Sequence, residues 1–101
     1  MFSKIRLELI IEKPAFKRAC RIFEGCGVTG YTALPCMAGY GNGNRWERGT
    51  DLSASRDMVM IISIIDDTLL PKLETELKNL IGAHIGVLCV SDVSVFRDGK
   101  F

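Results

Sequence analysis

An unbroken apolar run at Met58–Ile65 places the strongest constraint on how this chain folds. Every residue of the run except Ser63 is apolar, and four of its eight residues are isoleucine. Short runs rich in β-branched residues are typical of strands that are covered on both faces. A chain of 101 residues builds one hydrophobic core and not two. The chain itself therefore covers one face of this strand and leaves the other for a partner.

Three further strand patterns and two helical patterns complete the chain. Alternating apolar and polar residues predict a half-buried first strand. Pro35 lies within the second strand and indicates an edge position or a bulge, because proline donates no hydrogen bond to a ladder. The predicted elements are a strand at 3–12, a helix from Pro14 to Gly25 or Gly27, strands at 31–37 and 58–65, a helix with Pro71 in its first turn and Gly82 at its end, and a strand at 85–96.

This order of elements predicts a ferredoxin-like fold of the α+β class, with the pattern βαββαβ. The whole chain, residues 1–101, then forms a single domain in which two helices cover one face of a four-stranded antiparallel sheet. Because the strand at 58–65 has no polar side, the open face of the sheet is expected to be apolar. Self-association through that face is the simplest way to bury it, and we predict an oligomer.

A long loop is predicted between the second and third strands, at residues 38–57. It contains four glycines, three arginines and the only tryptophan, and its apolar residues follow neither a strand nor a helix period. Loops longer than about 12 to 15 residues within a compact domain are usually functional or disordered. Two interpretations remain open, an anion-binding loop and a solvated, mobile loop whose arginines keep it soluble.

The anion-binding interpretation depends on the glycines and arginines of this loop. Glycines at positions 39, 41 and 43 allow backbone N–H groups to approach a phosphate closely, and Arg45 and Arg48 supply forked donors beside it. Trp46 is either an anchor for a partner protein or a residue that packs against its own subunit.

Composition and charge exclude several classes of function. A net charge of +1 lacks the basic excess of a nucleic-acid binder. No segment is apolar over the length of a membrane span, and the first residues do not form a signal peptide. We therefore expect a cytoplasmic protein that binds no nucleic acid and is not membrane-embedded. The lone histidine, His84, lies in no motif with a serine or cysteine nucleophile, which argues against an enzyme.

The four cysteines follow no zinc-type spacing, and the absence of a secretion signal predicts reduced thiols. They are Cys20, Cys26, Cys36 and Cys89. No obligatory metal or other cofactor is expected.

Three short motifs resemble those of the PII signal-transduction family. Residues 27–32, GVTGYT, are similar to the family's GVTGMT, and residues 39–41, GYG, are similar to the start of its GFGR. Arg48 and Gly49 stand where its RGAEY motif begins. The resemblance covers almost the whole chain in element order. It implies a non-enzymatic homotrimer with nucleotide sites in the clefts between subunits, and a projecting T-loop, here about residues 38–57, that contacts a target protein.

The resemblance also implies which residues bind the nucleotide. Thr29 and Thr32 are expected at the adenine end, and Gly39 and Gly41 near the phosphates. The residues that we expect around the nucleotide are Thr29, Gly30, Thr32, Gly39, Gly41, Asn42, Ser63, Gly86 and Arg97. A phosphate or a second small anion is expected at Arg45, Arg48 and His84, and a partner protein at Trp46.

Departures from the family pattern narrow these expectations. Leu52 stands where the family has a modifiable tyrosine, so covalent nucleotidylylation is expected to be absent. The family's lysine before the last strand is missing from residues 82–87. This leaves one positive charge fewer for a terminal phosphate and favours AMP or ADP over ATP. These traits resemble the PII-like proteins associated with inorganic-carbon uptake and carboxysomes, which implies bicarbonate as a further effector and a transporter or carboxysome component as the target.

Two other functions stay open. A trimeric metal-responsive protein of the divalent-cation-tolerance kind shares the fold, and Cys26, Cys36 and His84 are of the residue types that bind copper or zinc. A purely structural trimer or adaptor would use only the loop with Trp46.

Overall fold

A computed structural model describes residues 1–50 and 57–101 of the chain. Within them, six strands and two α-helices follow one another, and a short 3-10 turn precedes each helix. Their bounds are β1 Phe2–Glu12, α1 Phe16–Gly25, β2 Thr32–Pro35, β3 Ala38–Gly41, β4 Asn44–Glu47, β5 Met58–Ile65, α2 Leu70–Ala83 and β6 Gly86–Val95.

Four of these strands form one antiparallel sheet in the order β2-β5-β1-β6. With α1 and α2 on one face, this is the predicted ferredoxin-like fold, which the structure confirms. β2 is shorter than predicted and lies at an edge, where Pro35 is its last residue. The edge position predicted from Pro35 is therefore correct.

The hydrophobic core lies between this sheet and the two helices. Alternate residues of β1 and β5 point into it, and α1 contributes Phe23, whose side chain is fully buried. α2 presents Leu73, Leu77 and Leu80 to the core, while its exposed side carries an ion pair between Glu74 and Lys78 at 2.8 Å. The largest fully buried side chains are Phe23, Leu7, Leu9, Ile11, Ile61, Ile65, Leu73 and Leu77.

The other face of the sheet is apolar over only part of its area. Residues directly opposite one another in neighbouring strands share a face, and the register places one apolar residue from each strand in a line across the sheet. This apolar row consists of Leu34, Met60, Ile10 and Val87. Farther along β1 the face carries Arg6 and Glu8, whose side chains lie 3.4 Å apart. The row crosses all four strands, and together with Ile62 and Ile64 of β5 it is the apolar surface of this face that needs to be covered.

A β-hairpin occupies the first half of the stretch that was predicted to be a loop. β3 and β4 pair in antiparallel register, and Asn42 and Gly43 join them with φ angles of 51° and 76°. Positive φ at both turn residues is the two-residue hairpin geometry that the Asn-Gly sequence favours. The prediction of irregular structure was therefore wrong for 38–47, because strands of four residues show too little alternation to be recognised. Residues 51–56, which include Leu52, lie outside the described part of the chain.

Within residues 1–50 and 57–101, the structure has no helix that is both long enough and apolar enough to cross a membrane.

Candidate functional site

The turn between α1 and β2 contains Thr29 and Gly30, and β5 holds it in place. Ser63 of β5 donates a hydrogen bond from Oγ to the Gly30 carbonyl oxygen at 2.6 Å. The Ser63 side chain is buried, so its hydroxyl serves the protein's own backbone. Thr32 lies opposite Ile62 in the register and is exposed. The structure thus brings together Thr29, Gly30, Thr32 and Ser63, with Ser63 supporting the turn from inside.

Tyr31 braces the same turn from the helical side. Its hydroxyl donates to Glu24 Oε2 at 2.5 Å, and its ring lies 5.8 Å from that of Phe23, centroid to centroid. Hydrogen bonding to Cys20 and to Glu24 raises the pKa of the Tyr31 phenol well above its usual range. The phenol therefore stays protonated and remains a donor at all physiological pH values.

The last residue of the chain also reaches this turn. Thr29 donates from Oγ1 to the carbonyl oxygen of Phe101 at 3.4 Å. A Cβ atom at position 30 would lie only 2.9 Å from the same oxygen. Glycine is therefore required at position 30 while Phe101 occupies this place.

Trp46 packs against its own chain in the hairpin. It is paired with Gly39 across the two strands, and its side chain is half-buried. A Cβ atom on Gly39 would lie 2.5 Å from the indole ring, so the ring covers the space that glycine leaves free. This geometry agrees with the second of the two interpretations of Trp46, packing within the subunit.

Replacing Gly39 by alanine should displace the indole of Trp46. The added methyl group and the ring cannot occupy the same space, and such overpacking costs about 1 to 3 kcal/mol. Because Trp46 is the only tryptophan, its fluorescence emission should move to longer wavelength. Gly41→Ala is the matched control, since no described residue lies within 4 Å of a Cβ atom there. Equal emission spectra for the two variants would contradict the packing of Trp46 on Gly39.

Asp57 fixes the base of the hairpin, a role that sequence reasoning missed. Its buried carboxylate accepts a hydrogen bond from the Gly49 N–H at 3.2 Å, and its carbonyl oxygen accepts one from the Lys13 N–H at 2.8 Å. The Arg48 N–H donates to the Met37 carbonyl oxygen at 2.8 Å. One acidic residue directly before an apolar strand was the available sequence signal.

The guanidinium groups of Arg45 and Arg48 are exposed at this end of the molecule. Burial raises the pKa of the Cys36 thiol, and the charge of Arg48 opposes that rise. Gly39, Gly41 and Asn42 lie in the same hairpin as Arg45, and Arg48 directly follows β4. The backbone N–H groups and the two arginines that were predicted to bind an anion therefore lie in or next to this hairpin.

His84 and Gly86 lie at the other edge of the sheet, where β6 begins. His84 Nδ1 is 2.8 Å from Glu12 Oε1, so the ring N–H donates to a carboxylate and His84 is not free for an anion as it stands. Gly86 begins β6, where a Cβ atom would lie 2.9 Å from the Ile10 carbonyl oxygen. Close packing of two backbones explains the glycine at position 86.

A single chain does not bring all the predicted site residues together. Thr32 is on the β2 edge and Gly86 on the β6 edge, which are three strand spacings or about 14 Å apart. Arg97 follows the far end of β6, a strand of ten residues, and is therefore about 30 Å along the strand direction from Gly86. The predicted site is divided between two edges of the same sheet.

Within the described ranges, no group of three His, Cys, Asp or Glu side chains is placed to hold a metal ion. Cys26 instead donates from Sγ to Glu76 Oε2 at 3.2 Å. Burial first, and then this carboxylate, raise the pKa of the Cys26 thiol. The residues of the metal-binding alternative, Cys26, Cys36 and His84, do not converge.

Comparisons with known proteins agree on one family. The family model described as nitrogen regulatory protein P-II matches residues 4–100. No curated protein matches the chain. A structure of CPII, a nitrogen regulatory PII-like protein from Thiomonas intermedia K12 bound to ADP, AMP and bicarbonate, has a TM-score of 0.84 at 27% identity, over 95% of this chain and 91% of its own.

Two further structures define the range of this likeness. CPII from the same organism bound to ADP and bicarbonate gives a TM-score of 0.81 at 28% identity, over 95% of this chain and 91% of its own. The complex of GlnK from B. subtilis with ATP gives 0.64 at 12% identity, over 90% and 82%. The GlnK comparison shows a likeness of fold alone.

Proposed function

Because the chain belongs to the nitrogen regulatory protein P-II family, we propose that it is a PII-like signalling protein that binds an adenine nucleotide and is not an enzyme. AMP or ADP is the preferred nucleotide, and ATP binds more weakly. The observation that carries this proposal is the close likeness to CPII bound to ADP, AMP and bicarbonate, at a TM-score of 0.84.

The nucleotide site lies between neighbouring subunits of a homotrimer. The division of the site residues between the β2 and β6 edges supports this arrangement, because one subunit's β2 edge has to meet another's β6 edge to complete the site. The apolar row of Leu34, Met60, Ile10 and Val87 supplies the surface that association buries. Apolar surface of this kind is typical of an interface between subunits.

Each predicted residue has a definite part in this site. Thr29 and Thr32 hold the adenine end, and Ser63 positions the Thr29–Gly30 turn through its hydrogen bond to Gly30. The phosphates meet the hairpin backbone together with β6 residues of two different subunits, because about 30 Å of strand separates Gly86 from Arg97 within one chain. The residues that contribute there are Gly39, Gly41, Asn42, Gly86 and Arg97.

The charges around the proposed site favour a nucleotide with fewer phosphate groups. No lysine stands between α2 and β6, and Glu12 engages His84 at 2.8 Å. Arg45 and Arg48 are the cations that remain for a second small anion. Bicarbonate fits this role because a planar oxyanion matches the fork of a guanidinium group.

Regulation passes through the T-loop, residues 38–57, to a target protein in the cytoplasm. The target is a membrane transporter for inorganic carbon or a carboxysome component, as in the PII-like subgroup that the sequence resembles. Ligand binding at the base of the hairpin selects the loop conformation that the target recognises. Tyr40 and Met37, which are 74% and 82% exposed, are better placed than Trp46 to contact that target.

Isothermal titration calorimetry with AMP, ADP, ATP and bicarbonate tests the proposal. ADP and AMP should bind at least about tenfold more tightly than ATP. Thr32→Val should weaken ADP binding by about tenfold, because the variant loses one hydrogen bond to the adenine end. Thr75→Val is the control, since in the described part of the chain Thr75 bonds only to the Pro71 carbonyl oxygen of its own helix. Failure of every nucleotide to bind the wild-type protein would overturn the proposal.

A further inference from the structure

The segment that follows β6, residues 96–101, folds back across the end of the sheet. Gly99 and Lys100 both have positive φ, at 91° and 57°, and reverse the direction of the chain. The segment starts at the β6 edge and ends beside the turn that precedes β2, on the opposite edge. We call its last four residues, 98–101, the tail segment, which begins after Arg97, the residue assigned to the phosphates.

Lys4 of β1 contacts the tail segment at Asp98 and at Phe101. Its ammonium group binds the carboxylate of Asp66 at the end of β5, and that of Asp98 in the tail segment at 2.7 Å. The same group lies 5.1 Å from the centroid of the Phe101 ring, within the range of a cation–π contact. Only 9% of the Lys4 side chain is exposed. Two carboxylates and an aromatic ring therefore enclose this one cation.

The end of the tail segment meets the residues assigned to adenine. The Thr29 hydroxyl, which has a single proton to donate, gives it to the Phe101 carbonyl oxygen. The same oxygen fills the space above Gly30, where a Cβ atom would come within 2.9 Å. A nucleotide base that used the Thr29 hydroxyl as a donor and approached Gly30 would need the place that Phe101 occupies.

We propose that the tail segment is an intramolecular competitor of the adenine nucleotide. It covers Thr29 and Gly30 in the empty subunit and leaves them when the nucleotide binds. This inference rests on the proposed function, since it takes Thr29 as a contact of the base. While the tail segment covers the site, the nucleotide binds only the fraction of molecules in which the site is open. The apparent affinity for the nucleotide is reduced in proportion to that fraction. The tail segment therefore sets the nucleotide concentration at which the protein responds.

The contacts of Lys4 persist over the pH range in which a nucleotide is sensed. Hydrogen bonds to Asp66 and then to Asp98 raise the pKa of Lys4 above its ordinary value of 10.5. A raised pKa means that the stabilisation is complete below that ordinary value and is lost only as the pH rises through the higher one. The groups that face Lys4 are Asp66, Asp98 and the Phe101 ring, and the closed position should not change between about pH 6 and pH 9.

Two substitutions loosen the tail segment without touching the nucleotide contacts. Asp98→Asn removes one carboxylate from Lys4, and Phe101→Ala removes the ring while keeping the backbone oxygen near Thr29. Calorimetry should show ADP binding about threefold to tenfold more tightly to each variant than to wild type. Asp67→Asn is the matched control. Asp67 is an exposed acid next to Asp66 in sequence, and within the described part of the chain it does not contact Lys4. This variant should bind ADP as wild type does.

The possible results separate this inference from the proposed function. Tighter binding by both variants, with unchanged thermal unfolding, supports competition. Equal or weaker binding by the variants, when wild type binds ADP, overturns competition and leaves the proposed function standing. Absence of ADP binding by wild type and variants alike overturns the proposed function and the inference together.

Discussion

Met60→Asp should yield a folded monomer in place of the trimer. Met60 lies in the apolar row between Ile10 and Leu34, and no positively charged residue is opposite it in either neighbouring strand. An unpaired carboxylate buried in an interface costs about 3 to 5 kcal/mol, and a trimer would bury three of them. Analytical ultracentrifugation at micromolar concentration should give the mass of one chain, 11.2 kDa, with an unchanged far-UV circular dichroism spectrum.

Nucleotide binding should be lost together with the trimer. The β2 and β6 edges contribute different residues to the proposed site, and a lone subunit offers only one set at a time. Asn79→Asp is the control, because it introduces the same charge on the exposed side of α2. A trimeric Met60→Asp protein would show that the apolar row is not the interface. A monomer that binds ADP with full affinity would show that one subunit holds the whole site.

Phe23→Ala should have the largest effect on stability. The Phe23 side chain is fully buried among α1, α2 and the sheet, and removal of a buried phenyl ring costs about 3 to 5 kcal/mol. That is a large part of the free energy of unfolding of a typical domain, which is about 5 to 15 kcal/mol. It corresponds to a fall of about 12 to 40 °C in the melting temperature of a domain of this size.

Urea denaturation at one fixed protein concentration measures the effect, because assembly makes the apparent stability depend on concentration. Phe96→Ala is the matched control, since that ring is 90% exposed and its loss should change the free energy of unfolding by less than about 0.5 kcal/mol. Similar losses for the two variants would mean that α1 does not pack on the sheet as described.

Much of the fold could be predicted because burial leaves a direct trace in the sequence. The apolar run at Met58–Ile65 has the bounds of β5, and Pro35 correctly indicated an edge. The hairpin was missed although Asn42 and Gly43 carried the usual signal for one. The pairing of Gly39 with Trp46 could not be read from sequence, since a glycine gives no indication of which side chain covers it.

The candidate site was less predictable because its contacts join distant parts of the chain. Ser63, which was predicted at the nucleotide, donates to Gly30, 33 positions away. His84, which was predicted at an anion, contacts Glu12, 72 positions away. Short motifs gave the correct family, as the match over residues 4–100 confirms. They did not give the internal partners of each polar side chain.

The two edges of the sheet differ in a way that limits uncontrolled aggregation. β6 leaves ten residues along one edge, whereas β2 offers four, the last of which is Pro35. A second chain that paired its own β6 with this long edge would leave only β2, four residues that end in proline, for the next chain. Elongation into fibres by edge pairing is therefore disfavoured. Association into a closed, symmetric oligomer is favoured instead, even at high protein concentration.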